Sequence, residues 1–296
     1  MTLPRTGRLT PPNRAVEATE RPATLARVRR RVLLGFLVGI PLIGVVAALA
    51  WSMRSAKLPD PLPAPKTPAL PDLAMSPLTE ISASEAEEGG ARYLLFTAAP
   101  ANVGRGALII HAVRADRRGS WRVSQRFDEP DGSLSETLTP GDVVWGGHGH
   151  NHWHVHMGAS YWLTRPGSTT RLRTYDKVGF CFFDQRPLRV QPPDAPVVPR
   201  FPKTGCNGQD ALEFTMGLSP GWSDPYPWAL PDQRLDVTGL EDGIYRLWAN
   251  ADPGGWFRET NEENNLTWVD LRLSLSSSPP RLQIVERGPA GASRAR

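Results

Sequence analysis

From Thr79 onward the chain reads as short apolar, β-branched or aromatic runs separated by Gly, Pro, Asp and Asn. Such runs cover Arg92 to Thr97, Ala107 to Val113, Ser120 to Phe127, Trp153 to Leu163, Thr170 to Phe183, Gly243 to Asn250 and Leu266 to Leu275. Each predicts a strand bounded by turns. No stretch here sustains a 3.6-residue apolar period, so the pattern predicts an all-β domain, a β-sandwich over 79–275. Upstream the pattern changes. Val32 to Trp51 carries no charge and spans about 30 Å as a helix, enough to cross a bilayer core. Leu58 to Leu78 holds seven prolines, a composition that stays extended as a semi-rigid spacer. The expected organisation is a basic cytoplasmic head at 1–31, one transmembrane signal-anchor at 32–51, a Pro-rich linker at 52–78, the β domain, and a disordered basic tail at 276–296.

Charge gives the chain a direction. The net +4 suggests a nucleic-acid binder until it is divided. The first 31 residues hold eight Arg and two Glu, the segment from Ser276 holds four Arg and one Glu, and the body between them is left at −5. A phosphate-tracking surface needs its cations on the folded domain, so nucleic acid is not an expected partner. Arg27, Arg29, Arg30 and Arg31 instead stand directly before the apolar run, against Arg54 and Lys57 after it. The positive-inside rule then places the N-terminus in the cytoplasm and the β domain outside the cell membrane. Ala48-Leu49-Ala50 resembles a signal-peptide cleavage site, and secretion after cleavage is the alternative.

The chain has two cysteines, Cys181 and Cys206, and an extracytoplasmic location favours a disulfide between them. A second proline cluster, from Pro187 to Pro202, falls between them and reads as a surface loop.

The chemical signal is concentrated in the histidines. Five of the six, His148, His150, His152, His154 and His156, occupy alternate positions in WGGHGHNHWHVHMGASYWL. In an extended strand they share one face, with Trp153 and Val155 on the other. Several neutral imidazoles brought together invite a metal. His150 and His154 stand about 13 Å apart in a straight strand, so the backbone must bend for both to reach one ion with bonds of about 2.0 Å. Gly146, Gly147 and Gly149 supply freedom just upstream. Three ligands from the five are expected. An all-nitrogen set suits copper or zinc, and copper(II) leads the affinity order.

His150-Asn151-His152-Trp153-His154 followed by Ala159-Ser160-Tyr161-Trp162-Leu163 resembles the copper-binding segment of the lysyl oxidase family, in the form seen in its bacterial members. Further blocks agree in order: Arg122 to Phe127; Lys177-Val178-Gly179-Phe180-Cys181; Gly217 through Pro220-Gly221-Trp222-Ser223-Asp224-Pro225-Tyr226; and Asp242 to Leu247 through Glu259 to Asn264-Asn265. The resemblance runs from about Leu70 to Leu275. It implies His150, His152 and His154 as copper ligands and transfers no ligand role to His148 or His156. It also implies a lysyl tyrosylquinone cofactor formed from Lys177 and Tyr226. Asp224 and Asp176 become candidates for the catalytic base or for orienting partners, although a turn or surface carboxylate is the ordinary reading of either.

The implied activity is the oxidative deamination of a primary amine, a peptidyl lysine or a small amine, by O₂, giving an aldehyde, hydrogen peroxide and ammonia. The rival expectation is an extracytoplasmic copper- or zinc-binding β-sandwich interaction module without quinone chemistry. The proline-rich stretch between Lys177 and Tyr226 is longer than in the animal family and must not pull the two residues apart.

Overall fold

A computed structural model describes residues 67–86, 89–146, 151–156, 158–177, 179–230 and 233–288, without the side chain of Asp176. The expected head and membrane span, the linker up to residue 66 and the end of the tail lie outside these residues. Among the described residues no helix is long and apolar enough to cross a membrane.

The described chain is all-β, with only two short 3₁₀ turns as helical structure. Its strands are β1 (Leu73–Met75), β2 (Thr79–Glu85), β3 (Arg92–Thr97), β4 (Pro100–Asn102), β5 (Leu108–Val113) and β6 (Arg122–Asp128). There follow β7 (Leu134–Leu138), β8 (Val143–Gly146), β9 (His152–Val155), β10 (Ala159–Thr164), β11 (Arg173–Lys177) and β12 (Arg186–Pro187). The last six are β13 (Glu213–Leu218), β14 (Trp222–Ser223), β15 (Arg234–Asp236), β16 (Gly243–Ala251), β17 (Leu266–Ser274) and β18 (Arg281–Arg287). They assemble into sheets ordered β1-β4-β14-β12, β11-β10-β16-β17-β18, β13-β5-β6-β7 and β15-β3-β2, and the hairpin β8-β9.

One apolar cluster joins these sheets, with Leu94, Phe96, Leu108, Ile110, Val155, Tyr161, Phe180, Tyr245 and Leu271 among its fully buried members. Strand β16 shows how the sequence sets the faces. Its sequence GIYRLWANA buries Tyr245, Leu247, Ala249 and Ala251 while the intervening side chains face outward, as a period of two requires. On the outer face Arg246 forms a two-pronged pair with Asp270 at 2.7 and 2.8 Å and lies 3.4 Å above the Trp268 ring centre. This pair is partly buried and bidentate, the geometry in which an ion pair holds its position.

Several boundaries differ from the sequence expectation. The folded domain begins before Thr79: β1 is fully buried and pairs with β4 from Leu73↔Asn102 to Met75↔Pro100. The apolar Leu73 and Met75 are drawn out of the proline-rich segment into the core. The tail from Ser276 is not wholly disordered either, because 281–287 form β18 against β17. Its polar strand is held by backbone pairing rather than by burial. The expected strand from Trp153 to Leu163 is two, β9 ending at Val155 and β10 beginning at Ala159. Between them His156 N–H donates to the Asp142 carbonyl, and Gly158 presses so close to the Phe180 ring that a Cβ would overlap it.

Cys181 and Cys206 form a disulfide. The proline-rich loop between them is mostly exposed and is fastened from below by Asp184. That buried carboxylate accepts from the backbone N–H of Arg200, Phe201 and Ser219 and from the Ser219 hydroxyl. The loop therefore bulges outward as a pinned flap, and its length is not inserted between β11 and β14.

Candidate functional site

The histidine strand is oriented by its other face. Trp153 packs edge-on against Trp121 at 4.9 Å and Trp145 at 5.3 Å, and its indole N–H donates to the Gly208 carbonyl. The Arg114 guanidinium lies 4.9 Å from the Trp153 ring centre. With Trp153 fixed, the period of two turns His152 and His154 to the opposite side. Their rings meet edge to face at 4.6 Å between centroids, and the two Nε2 atoms are 2.9 Å apart.

The bend expected near the histidines falls at Asn151, whose φ is 49° and whose N–H closes back on the Gly146 carbonyl. Asn is among the few residues that enter the left-handed region at low cost. His148 and His150 lie outside the described residues, so the expected triad is followed here at His152 and His154. Among the described residues no three His, Cys, Asp or Glu side chains form a metal-holding group.

Strand β11 delivers Lys177 to this place. It pairs with β10 in the register Tyr161↔Tyr175 and Ala159↔Lys177, then leaves the sheet and crosses to β9. There Phe180 and Val155 exchange two backbone hydrogen bonds of 2.8 Å. The crossing depends on Gly179, where a Cβ would overlap the Cβ, Cγ and Nδ1 of His154. The expected strand from Thr170 to Phe183 is thus split by the close approach of two backbones, for which only Gly leaves room.

Lys177 is buried, and its amine stands 4.5 Å from the centre of the Tyr226 ring and 5.6 Å from that of Phe180. Tyr226 comes from the opposite direction. Its backbone bridges Ala98 through hydrogen bonds of 2.7 and 3.2 Å, its ring meets Phe180 edge-on at 4.3 Å, and its hydroxyl donates to the Cys181 carbonyl at 3.4 Å. The long loop between the two residues does not separate them.

Asp224 is fully buried, neither a turn nor a surface carboxylate. The Gln185 amide reaches its Oδ1 at 3.5 Å, and its Oδ2 has no hydrogen-bond partner. Burial raises its pKa well above the carboxylate range, an effect the Tyr226 hydroxyl and the Lys177 charge partly offset. Burial, followed by the Asp224 charge, also raises the Tyr226 phenol. Burial thus favours the neutral, protonated form of both groups. Nothing is described for the Asp176 side chain.

The residue types brought together here, imidazoles beside a lysine and a tyrosine, are ones that a copper ion and a lysine–tyrosine quinone would use. His152 and His154 would be the described residues to hold such a metal: their Nε2 atoms are 2.9 Å apart, within hydrogen-bond distance of each other. The Lys177 amine lies over the Tyr226 ring, the arrangement such a cofactor would need.

A second polar constellation escaped the sequence reading. The Glu259 carboxylate accepts from the Leu73 N–H and the Asn265 amide, Asp72 accepts from the Asn264 amide, and Glu262 lies beside them. Burial pushes the Glu259 carboxyl up to about 8. The Oδ1 atoms of Asn264 and Asn265 are buried without a partner.

No protein-family model matches the chain, and no curated protein matches it.

Proposed function

We propose that the chain is a copper-dependent amine oxidase of lysyl oxidase type. In this reading a β-sandwich is carried outside the cell membrane by an N-terminal anchor at 32–51. The observation that supports it is the Lys177 amine lying 4.5 Å from the centre of the Tyr226 ring, on a segment whose Gly179 abuts His154.

His150, His152 and His154 hold copper. Lys177 and Tyr226 form the quinone. The metal and quinone together supply the electron-accepting chemistry by which a primary amine, O₂ and water become an aldehyde, ammonia and hydrogen peroxide.

The remaining roles belong to the chain's own side chains. Phe180 walls the Lys177–Tyr226 pair on one side and excludes water from it. Gly179 lets the lysine strand approach the metal strand. Asp224, buried beside Tyr226, serves as base once it has given up its own proton: as the carboxylate it takes the α proton of the substrate and returns to the neutral acid that burial favours.

The test uses copper-loaded full-length protein. A carbonyl-reactive hydrazine labels it, Tyr226→Phe abolishes the label, and addition of a primary amine releases peroxide. No peroxide, together with labelling that Tyr226→Phe leaves unchanged, overturns the reading.

A further inference from the structure

Behind the Tyr226 ring lies a group of polar atoms that the proposed chemistry has not used. The Tyr161 hydroxyl, both ends of the Gln233 amide and the Asp224 Oδ2 are all buried without a hydrogen-bond partner. Gln233 and Tyr161 are fully buried. The register of β10 and β11 puts Tyr161, Tyr175, Ala159 and Lys177 on the same face, with Tyr161 stacked on Tyr175 at 6.2 Å and edge-on to Phe96 at 4.9 Å. The Tyr161 hydroxyl and the Gln233 amide are within reach of a weak hydrogen bond with each other, and Tyr161 also senses Asp224 and acts in turn on the Tyr226 phenol. Polar atoms on three neighbouring side chains that make no full hydrogen bond are expensive in a dry interior, since weak contacts do not replace their hydration. They are the surroundings of a buried water, which typically takes about three hydrogen bonds from such groups.

A surface cleft of about 250 Å³ lies next to this cluster. It is lined by Tyr175, the stacking partner of Tyr161, and by Arg234, the residue following Gln233, together with Tyr93 and Arg173.

We propose that Tyr161, Gln233 and Asp224 enclose an ordered water and form with it a proton path from the Tyr226 site to the cleft between β11 and β15. The Asp224 carboxyl gives a proton to the water, and the water gives one of its own to the Tyr161 oxygen. Tyr161 releases its proton toward solvent past Tyr175. One proton moves at each exchange, no bond to carbon changes and no electron is transferred. Tyr161 and Gln233 are positioning residues: they act through the water and Asp224 and do not touch the substrate. The catalytic use of the path rests on the amine-oxidase reading, whereas the water does not.

The experiment compares Tyr161→Phe and Gln233→Leu with wild type in two arms. In thermal unfolding, each variant lowers Tm by several degrees, and the double variant loses less than the sum because both remove bonds to the same water. A rise in Tm for either single variant means the orphan was dry, and it overturns the proposal. In amine-dependent peroxide release, Tyr161→Phe lowers the rate per hydrazine-labelled site about tenfold and changes the ratio of rates in H₂O and D₂O. An unchanged rate and ratio refute the path even if Tm falls. If wild type gives neither label nor peroxide, the amine-oxidase reading fails, and with it the catalytic use of the path. The unfolding arm still decides the water.

Discussion

Gly179→Ala is the smallest change that strikes the junction between the histidine strand and the lysine strand. The added Cβ would fall on the Cβ, Cγ and Nδ1 of His154, and neither side has slack. Phe180 and Val155 are tied by two backbone hydrogen bonds of 2.8 Å immediately beside the contact, and the other face of β9 is locked through Trp153. Overpacking of a rigid interior costs roughly 1–3 kcal/mol. For a domain of about 200 residues each kcal/mol lowers Tm by about 2–4 °C, so a loss of roughly 2–12 °C is expected. His154 must also rotate or retreat, and copper content should fall with it. The control is Gly208→Ala, where a Cβ would meet nothing within 4 Å. Differential scanning calorimetry gives Tm, and metal analysis after copper loading gives occupancy. The reasoning is refuted if Gly179→Ala matches Gly208→Ala in both.

Cys181→Ser together with Cys206→Ser opens a loop of 25 residues; by loop-closure entropy this should cost about 3 kcal/mol, read as a lowered urea midpoint that reductant reproduces in wild type. Glu259 titrates near 8 in the fold against a usual carboxylate value of about 4.3. The fold therefore binds an extra proton between those limits, and stability should fall by a few kcal/mol as pH rises from about 4.5 to 8. Measured with chelator present, Glu259→Gln should flatten that slope, and an unchanged slope would show that Glu259 does not carry it. His152→Ala or His154→Ala should lose bound copper while His156→Ala loses little, as metal analysis would show; full copper in all three contradicts the ligand assignment.

The strands with strong alternation were legible in the sequence because their side chains decide their faces. Arg92–Thr97 matched β3 to the residue, and β16 and β17 came within one residue at each end. Strands β7, with its exposed Leu134 and Leu138, and β2, reading TEISASE, were missed. Their polar positions are held by neighbouring backbones, and local composition does not report that. Cys181 and Cys206 could be paired because no other cysteine competes.

At the site, the residue types of His152, His154, Lys177 and Tyr226 were readable from motif order. Their proximity was not, since it depends on β11 leaving one sheet for another at Gly179. Asp224 looked like an ordinary turn carboxylate because burial is a property of the surrounding strands. Tyr161 belongs to the segment after the histidines but reads as a core aromatic, and Gln233 carries no pattern at all. Only the orphaned atoms around them mark the place.

The central claim is that Lys177 and Tyr226 belong to one cofactor. The most direct measurement is mass spectrometry of a proteolytic digest of the copper-loaded, aerated protein. A peptide containing Lys177 covalently joined to one containing Tyr226, absent from the metal-free protein and from Tyr226→Phe, is the predicted result. Recovery of both peptides separate and unmodified after copper loading would contradict the account.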